Sequence, residues 1–392
     1  MSLSSLAGLA GAGAWAWLWS MRGHFWRIEP QAAAAAPPPE TWPDVVAVIP
    51  ARDEADVIGI AVRSLLSQNY PGRLTVVVVD DHSSDGTAAA ARAAAEDIGV
   101  ADRLTVTVAP DLPPGWTGKM WAQSHGVATA RALKPNAELL LLTDADIRHG
   151  QGELRRTVAK LIAERLDMAS LMVRLSTRGW WEKLVVPAFV FFFRMLYPFS
   201  WVSDPRSSTA AAAGGYVLIR PAILERIGGI KAIKDALIDD CTLAAAVKVE
   251  RGRLTLDLAE ETESVRSYDG PEGLWRMIAR SAYTQLRHSP LLLLGTVLTM
   301  IVVFVLPPIL VIRGGGGSMM GALAWAGMTI AYAQTVRYYR LPVLWAPLLP
   351  LVSVFYLGAT IHSAIKYWRG EGGEWKGRVQ DVRRTTASGM AS

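Results

Sequence analysis

Two kinds of hydrophobic pattern alternate along this 392-residue chain, one made of long charge-free stretches and one of short apolar runs. Residues 3–19, 291–312, 319–335 and 344–365 contain no Asp, Glu, Lys or Arg. Each is long enough for a helix across a hydrocarbon layer of about 30 Å. Between the first and second stretch the runs are short. Val45-Val46-Ala47-Val48-Ile49-Pro50, the valines at 76–79 and the leucines at 139–142 each stop at polar residues that form turns. Wholly apolar runs of this length predict strands covered on both faces, hence a parallel sheet flanked by helices. Helical spacing of Val57, Ile60, Ala61 and Leu65 after the first run, and further alternation up to residue 142, predict a doubly wound α/β domain over 43–290 with one core.

The ends of the chain read differently. Residues 1–28 form an expected membrane anchor, because Arg22, His24 and Arg27 follow the apolar stretch, which is the polarity of an outside-to-inside crossing. A cleaved signal peptide would carry its positive charge ahead of that stretch. The Ala- and Pro-rich residues 29–42 are an expected linker. Residues 291–365 are expected transmembrane segments, with 344–365 the least straight because of Pro347 and Pro350, and 366–392 a basic tail. One anchor and three crossings would put that tail outside, against the positive-inside tendency, so one segment is expected to be re-entrant or interfacial. The apolar stretch 184–201 contains Arg194 and two prolines. It is read as a helix lying on the membrane, with a buried core helix as the alternative.

Composition agrees: 51% of residues are hydrophobic and 19% charged, so part of the surface is expected to face lipid. The net charge of +5 comes largely from basic clusters at 22–27, 337–340 and 366–384. All three abut apolar segments and are assigned to anionic headgroups, not to nucleic acid. The single cysteine, Cys241, excludes an internal disulfide.

Candidate chemistry is acidic. Asp80-Asp81 and Asp144-Ala145-Asp146 follow the second and third runs, where the carboxyl ends of strands in an open sheet hold ligands. Asp-x-Asp on extended backbone puts two carboxylates on one side, able to share a divalent cation, magnesium or manganese, which in turn grips phosphates. Turn formation and solvation are the plain alternatives for both groups. Asp239-Asp240 can equally cap a helix over 243–249. Neither Gly-x-Gly-x-x-Gly after the first strand nor a Gly-Lys-Ser/Thr phosphate loop is present, so a glycine cradle does not manage the phosphates.

Pro50-Ala-Arg-Asp-Glu54, Val79-Asp-Asp-His-Ser-Ser-Asp-Gly-Thr87, Thr143-Asp-Ala-Asp146 and Ile238-Asp-Asp-Cys241 resemble the signature blocks of family 2 inverting glycosyltransferases with the GT-A fold. The blocks at 112–121, 211–216 and 282–290 are similar to the hopene-associated glycosyltransferases, relatives of ceramide glucosyltransferase. The resemblance extends to Trp375-Lys-Gly-Arg378. It implies that Glu54, Asp80 and Asp81 contact the nucleoside of a UDP-sugar donor, that Asp146, helped by Asp144, holds metal and diphosphate, and that Asp240 is the general base for an acceptor hydroxyl. Lys119 would meet the diphosphate from its loop, with a solvated loop lysine as the plain alternative. Arg287 would stabilise the leaving group.

Departures accompany it. Relatives carry Gln or Arg, two residues, then Arg-Trp; here Thr284-Gln-Leu-Arg287-His288 keeps the arginine and replaces the tryptophan. Tyr283 and His288 are candidates for an acceptor entrance or for the membrane interface, and Gly214-Gly215 for close approach of a substrate or a plain turn. The implied protein is a metal-dependent hexosyltransferase in a bacterial inner membrane, its catalytic domain cytosolic and its acceptor a hopanoid lipid. A sphingoid lipid, a carotenoid or a polyprenyl phosphate is the alternative acceptor, and a non-catalytic membrane scaffold the alternative of another class.

Overall fold

The computed structural model describes residues 2–28, 36–268 and 270–371, with the backbone of a short antiparallel pair, Glu374–Trp375 and Arg378–Val379. The first seven positions of the expected linker and most of the basic tail lie outside the described residues. Eight strands, Val45–Ala51 (β1), Leu74–Asp80 (β2), Leu104–Val108 (β3), Leu139–Leu142 (β4), Ile147–Arg148 (β5), Met168–Arg174 (β6), Val217–Ile219 (β7) and Leu254–Ser264 (β8), form one sheet in the order β3-β2-β1-β4-β7-β6-β8-β5. Helix Leu3–Met21 (α1) precedes it. Helices Ala55–Leu66 (α2), Thr87–Glu96 (α3), Gly118–Leu133 (α4), Glu153–Ala163 (α5), Trp180–Leu196 (α6), Phe199–Ser203 (α7), Pro221–Arg226 (α8), Asp239–Val249 (α9) and Gly270–Gln285 (α10) alternate with or follow the strands.

The apolar runs become the centre of this sheet. β1 lies between β2 and β4, parallel to both, with Val45 level with Leu74 and Leu139. Alternate residues point to opposite faces, and both faces are covered. Val46, Val48, Val77, Val79, Leu140 and Leu142 pack with Met120 and Ala122 of α4 and Val190 and Phe191 of α6. Val45, Ala47, Ile49, Val76, Val78 and Leu141 pack instead with Ile58 and Leu65 of α2, Ala91 of α3 and Val158 of α5. The sheet is mostly parallel, as expected, but mixed: β7 enters between β4 and β6 antiparallel to both, and β5 runs antiparallel to β8. Three residues of β7 and two of β5 are too short to carry a readable period.

Helices Pro290–Met300 (α11), Leu306–Arg313 (α12), Ser318–Tyr338 (α13) and Leu349–Trp368 (α14) complete the chain. α11 and α12 join through a π-helical turn at Ile301–Val305. Pro307 and Pro308 lack the N–H groups that would close the next α-turns, and the wider turn ahead of them absorbs that loss. A 3-10 segment, Val343–Leu348, leads into α14. Among the described residues two helices are long and apolar enough to cross a membrane, Pro290–Arg313 and Val343–Trp368. α1, rich in Ala, Gly and Trp, packs on α12 and α13, and its Trp15 indole donates to the Val303 carbonyl at 2.9 Å. The segment expected at 184–201 forms α6 and α7. Val185, Val186, Ala188, Val190, Phe191 and Arg194 of α6 are all buried, and it packs against α10, α13 and α14. α6 is thus buried within the fold and couples the sheet to the C-terminal helices.

Candidate active site

The carboxyl ends of β2, β1 and β4 lie side by side, and a cleft of about 440 Å³ opens in front of β1 and β4. Glu54, Lys119, Asp144, Asp146, Asp239 and Arg266 line it. Asp144, Ala145 and Asp146 form a turn between β4 and β5, not the extended backbone expected, and both carboxylates line the cleft.

Lys119 is the centre of charge. It is the second residue of α4, whose cap Thr117 accepts the Met120 N–H at 3.2 Å, so it stands on a helix N-terminus and not in a loop as expected. Its Nζ lies 2.9 Å from Asp144 Oδ1 and 3.1 Å from Asp239 Oδ2. Burial pulls its pKa down, but Asp144, Asp239 and Asp240 together raise it above the usual lysine value, so it stays charged. A cation and the positive end of α4 coincide here.

Asp239 and Asp240 open α9, as their capping alternative requires, yet their carboxylates are engaged across the fold. Asp240 Oδ2 accepts the Gly214 N–H at 2.9 Å, and Oδ1 the Cys241 N–H at 2.7 Å. Burial and the neighbouring Asp239 charge push the Asp240 acid up to about 6, against the opposing pull of Lys119 and the two N–H donors. It is therefore ionised at neutral pH yet basic for a carboxylate. Gly214 marks where these groups meet. A β-carbon placed on it would lie 3.4 Å from Lys119 Nζ, 3.6 Å from Asp240 Oδ2 and 3.7 Å from Asp144 Oδ2.

The other end of the cleft is held by Arg266, just past β8. Its guanidinium bridges Glu54 and Asp146, and Asp146 Oδ2 also accepts from Ser264 Oγ at 2.9 Å. Among the described residues no three His, Cys, Asp or Glu side chains form a metal cluster. Two carboxylates, Asp144 and Asp146, suit a cation of the magnesium type that takes its remaining ligands from phosphate oxygens and water.

The remaining expected residues sit as follows. Asp81 is buried at the end of β2 with its carboxylate 3.5 Å from Arg52, and Asp80 Oδ1 accepts the Ser83 N–H at 3.0 Å. Arg287 is exposed with φ of 52° and lies outside the cleft lining. Tyr283 is buried and donates to the His288 carbonyl at 2.9 Å, while the His288 ring stacks on Tyr367 of α14 at 4.1 Å. Both residues clasp α10 to α14. The Cys241 thiol points at the Ala212 carbonyl, 3.7 Å away, and burial raises its pKa, which keeps it protonated. Arg266, Arg276 and Arg280 line the cleft without having been singled out in the sequence. The four-residue spacing of Arg276 and Arg280 on α10 was the available signal.

The solved mannosyltransferase PcManGT from Pyrobaculum calidifontis, in complex with GDP-Man and Mn2+, has a similar fold, with a TM-score of 0.57 at 19% identity over 93% of this chain and 98% of that one. Glucosyl-3-phosphoglycerate synthase from Mycobacterium tuberculosis, in complex with Mg2+ and UDP, aligns with a TM-score of 0.40 at 16% identity over 67% of this chain and 85% of that one. No curated protein sequence matches the chain. The α/β architecture is the mixed-sheet, GT-A-like one. The family described as "Glycosyltransferase like family 2" matches over residues 43–282, more than half of the chain, and the protein belongs to it.

Proposed function

We propose that this protein is an integral membrane, inverting hexosyltransferase that moves a sugar from a UDP-sugar to a lipid acceptor at the cytosolic face of a bacterial inner membrane. The observation that carries the reading is the convergence of Lys119, Asp144 and Asp240 on Gly214, at the edge of a cleft that Lys119 and Asp144 line. A fixed cation, a carboxylate that can share a metal and a carboxylate basic enough to take a proton thereby face one space. Asp240, ionised at neutral pH, removes the proton of the attacking hydroxyl, and its two backbone N–H donors fix its direction. In-line attack inverts the anomeric centre, so one base suffices. Lys119 and the α4 N-terminus hold the diphosphate and stabilise charge on it as the sugar departs. A divalent cation, magnesium or manganese, held by Asp146 and Asp144 would neutralise the same diphosphate. Asp146 also pairs with Arg266 at 3.2 Å, which would place that guanidinium beside the same diphosphate. Glu54, Asp80 and Asp81 are assigned to the nucleoside end, and Arg287 to the leaving group.

The uridine donor and the hopanoid acceptor rest on the sequence resemblance. The GDP-Man of PcManGT makes a guanosine donor the specific alternative. The test is release of nucleoside diphosphate by detergent-purified protein with bacterial lipid extract, screening UDP- and GDP-sugars with and without manganese. Lipid- and metal-dependent release that disappears in Asp240→Asn supports the reading. Release that persists in Asp240→Asn removes Asp240 as the base, and absence of release with every donor removes the transferase reading.

A further inference from the structure

Beside the cleft runs a second, mostly apolar depression of about 300 Å³, lined by Pro271, Glu272, Trp275 and Arg276 of α10 and Phe355 of α14. Arg276 lines both spaces, so one guanidinium is a wall common to the groove and the cleft. The groove is built, not incidental. The Trp275 indole donates to His362 Nδ1 at 2.7 Å and meets the Phe355 ring edge-on at 5.1 Å. It lies so close to α14 that a β-carbon on Gly358 would fall 2.7 Å from the indole edge. Three contacts from one helix thus hold an only half-buried aromatic wall in one orientation.

Its surroundings identify what it meets. α14 belongs to one of the two helices long and apolar enough to cross a membrane. Leu351 and Val354, one turn or less before Phe355, are 61% and 49% exposed. The groove therefore continues an apolar helix surface on one side and shares Arg276 with the cleft on the other. At the shared border stands the exposed Arg276 guanidinium.

We propose that this groove between α10 and α14 is the docking site for the apolar body of the acceptor lipid, with Trp275 and Phe355 as its walls and Arg276 as the gate past which the acceptor group reaches Asp240. The inference rests on the lipid-acceptor reading above and assigns the acceptor a place within it. Residues 275 and 355 then determine acceptor affinity and leave donor affinity alone. An aromatic wall also favours an extended or ring-built hydrocarbon over a compact polar acceptor.

The experiment compares the full-length wild-type protein with Trp275→Ala, Phe355→Ala and Gly358→Ala, the last pushing the indole without removing it. Sugar transfer to a bacterial lipid extract is measured as KM for extract and for donor. Thermal stabilisation by the extract, and separately by nucleoside diphosphate with manganese, is measured on the same samples. The expected result is a rise of about tenfold or more in acceptor KM, a donor KM within about twofold, and loss of the lipid-induced Tm shift with the nucleotide-induced shift retained. Trp275→Phe should recover most of the affinity. Unchanged acceptor KM and unchanged lipid stabilisation in both alanine variants overturn the groove and leave the transferase reading standing. If the wild type transfers no sugar, the lipid-induced shift alone decides the groove: its loss in the variants supports docking there, its persistence refutes it. A variant that also loses nucleotide stabilisation is misfolded, and the Gly358→Ala and Trp275→Phe arms then decide.

Discussion

Replacing Asp240 by asparagine should make the protein inactive and more stable at once. Burial and Asp239 raise the Asp240 acid to about 6, which opposes folding by about 2–3 kcal/mol at ~1.4 kcal/mol per tenfold change in acidity. The sign follows from linkage: the unfolded chain releases this proton at lower pH than the folded one, so folding is penalised progressively between about pH 4 and 6 and fully above that. Asparagine removes the penalty. It also turns one amide NH2 toward a backbone N–H, either of Gly214 or of Cys241, at a cost of about 1–2 kcal/mol. A net gain of about 1–2 kcal/mol corresponds to a Tm higher by roughly 2–6 °C for a domain of this size. Melting donor-free wild type and variant between pH 4.5 and 7.5 tests this, and the gap should widen toward the higher pH. In the wild type, transfer should fall about tenfold per pH unit below about 6 as the base is protonated. A variant less stable than wild type at pH 7.5, or one that keeps transfer, would refute the argument that Asp240 is a strained base.

Asp146→Ala should abolish manganese-dependent nucleotide binding in calorimetry while Arg266 keeps Glu54 as a partner; an unchanged titration removes Asp146 as a ligand. Gly214→Ala should fold normally, because the added methyl meets its neighbours at ordinary contact distances and Gly214 is not in the left-handed region. It occupies the space that the sugar needs, so kcat/KM should drop by about 10–100-fold; wild-type transfer would place the reacting atoms elsewhere. Glu153, fully buried, accepts the Glu261 and Thr262 N–H groups at 3.1 and 3.2 Å and pairs with Arg156. Glu153→Ala should lower stability by about 3–5 kcal/mol in denaturant unfolding, with nucleotide affinity unchanged in the fraction that remains folded.

The placement of the aspartates at the strand ends was legible because it is local. Each acidic group follows directly on an apolar run, and a run of four valines or four leucines is a strand whatever surrounds it, so its end could be placed from the sequence. β7 was not legible, since three residues adopt a direction only through the neighbours they pair with. Neither was the partner of Glu54, because Arg266 lies 212 positions further on and no period connects them. The same limit explains α6, whose composition fits a membrane surface as well as a core. Only the packing of α10, α13 and α14 on it decides between the two. The groups proposed to grip phosphate are thus carried by short runs and their ends, whereas the groove proposed for the acceptor is made by helices that touch across the fold. Variation in acceptor should therefore be found at seams such as Trp275 against Gly358, where one methyl group moves a wall and no signature block changes.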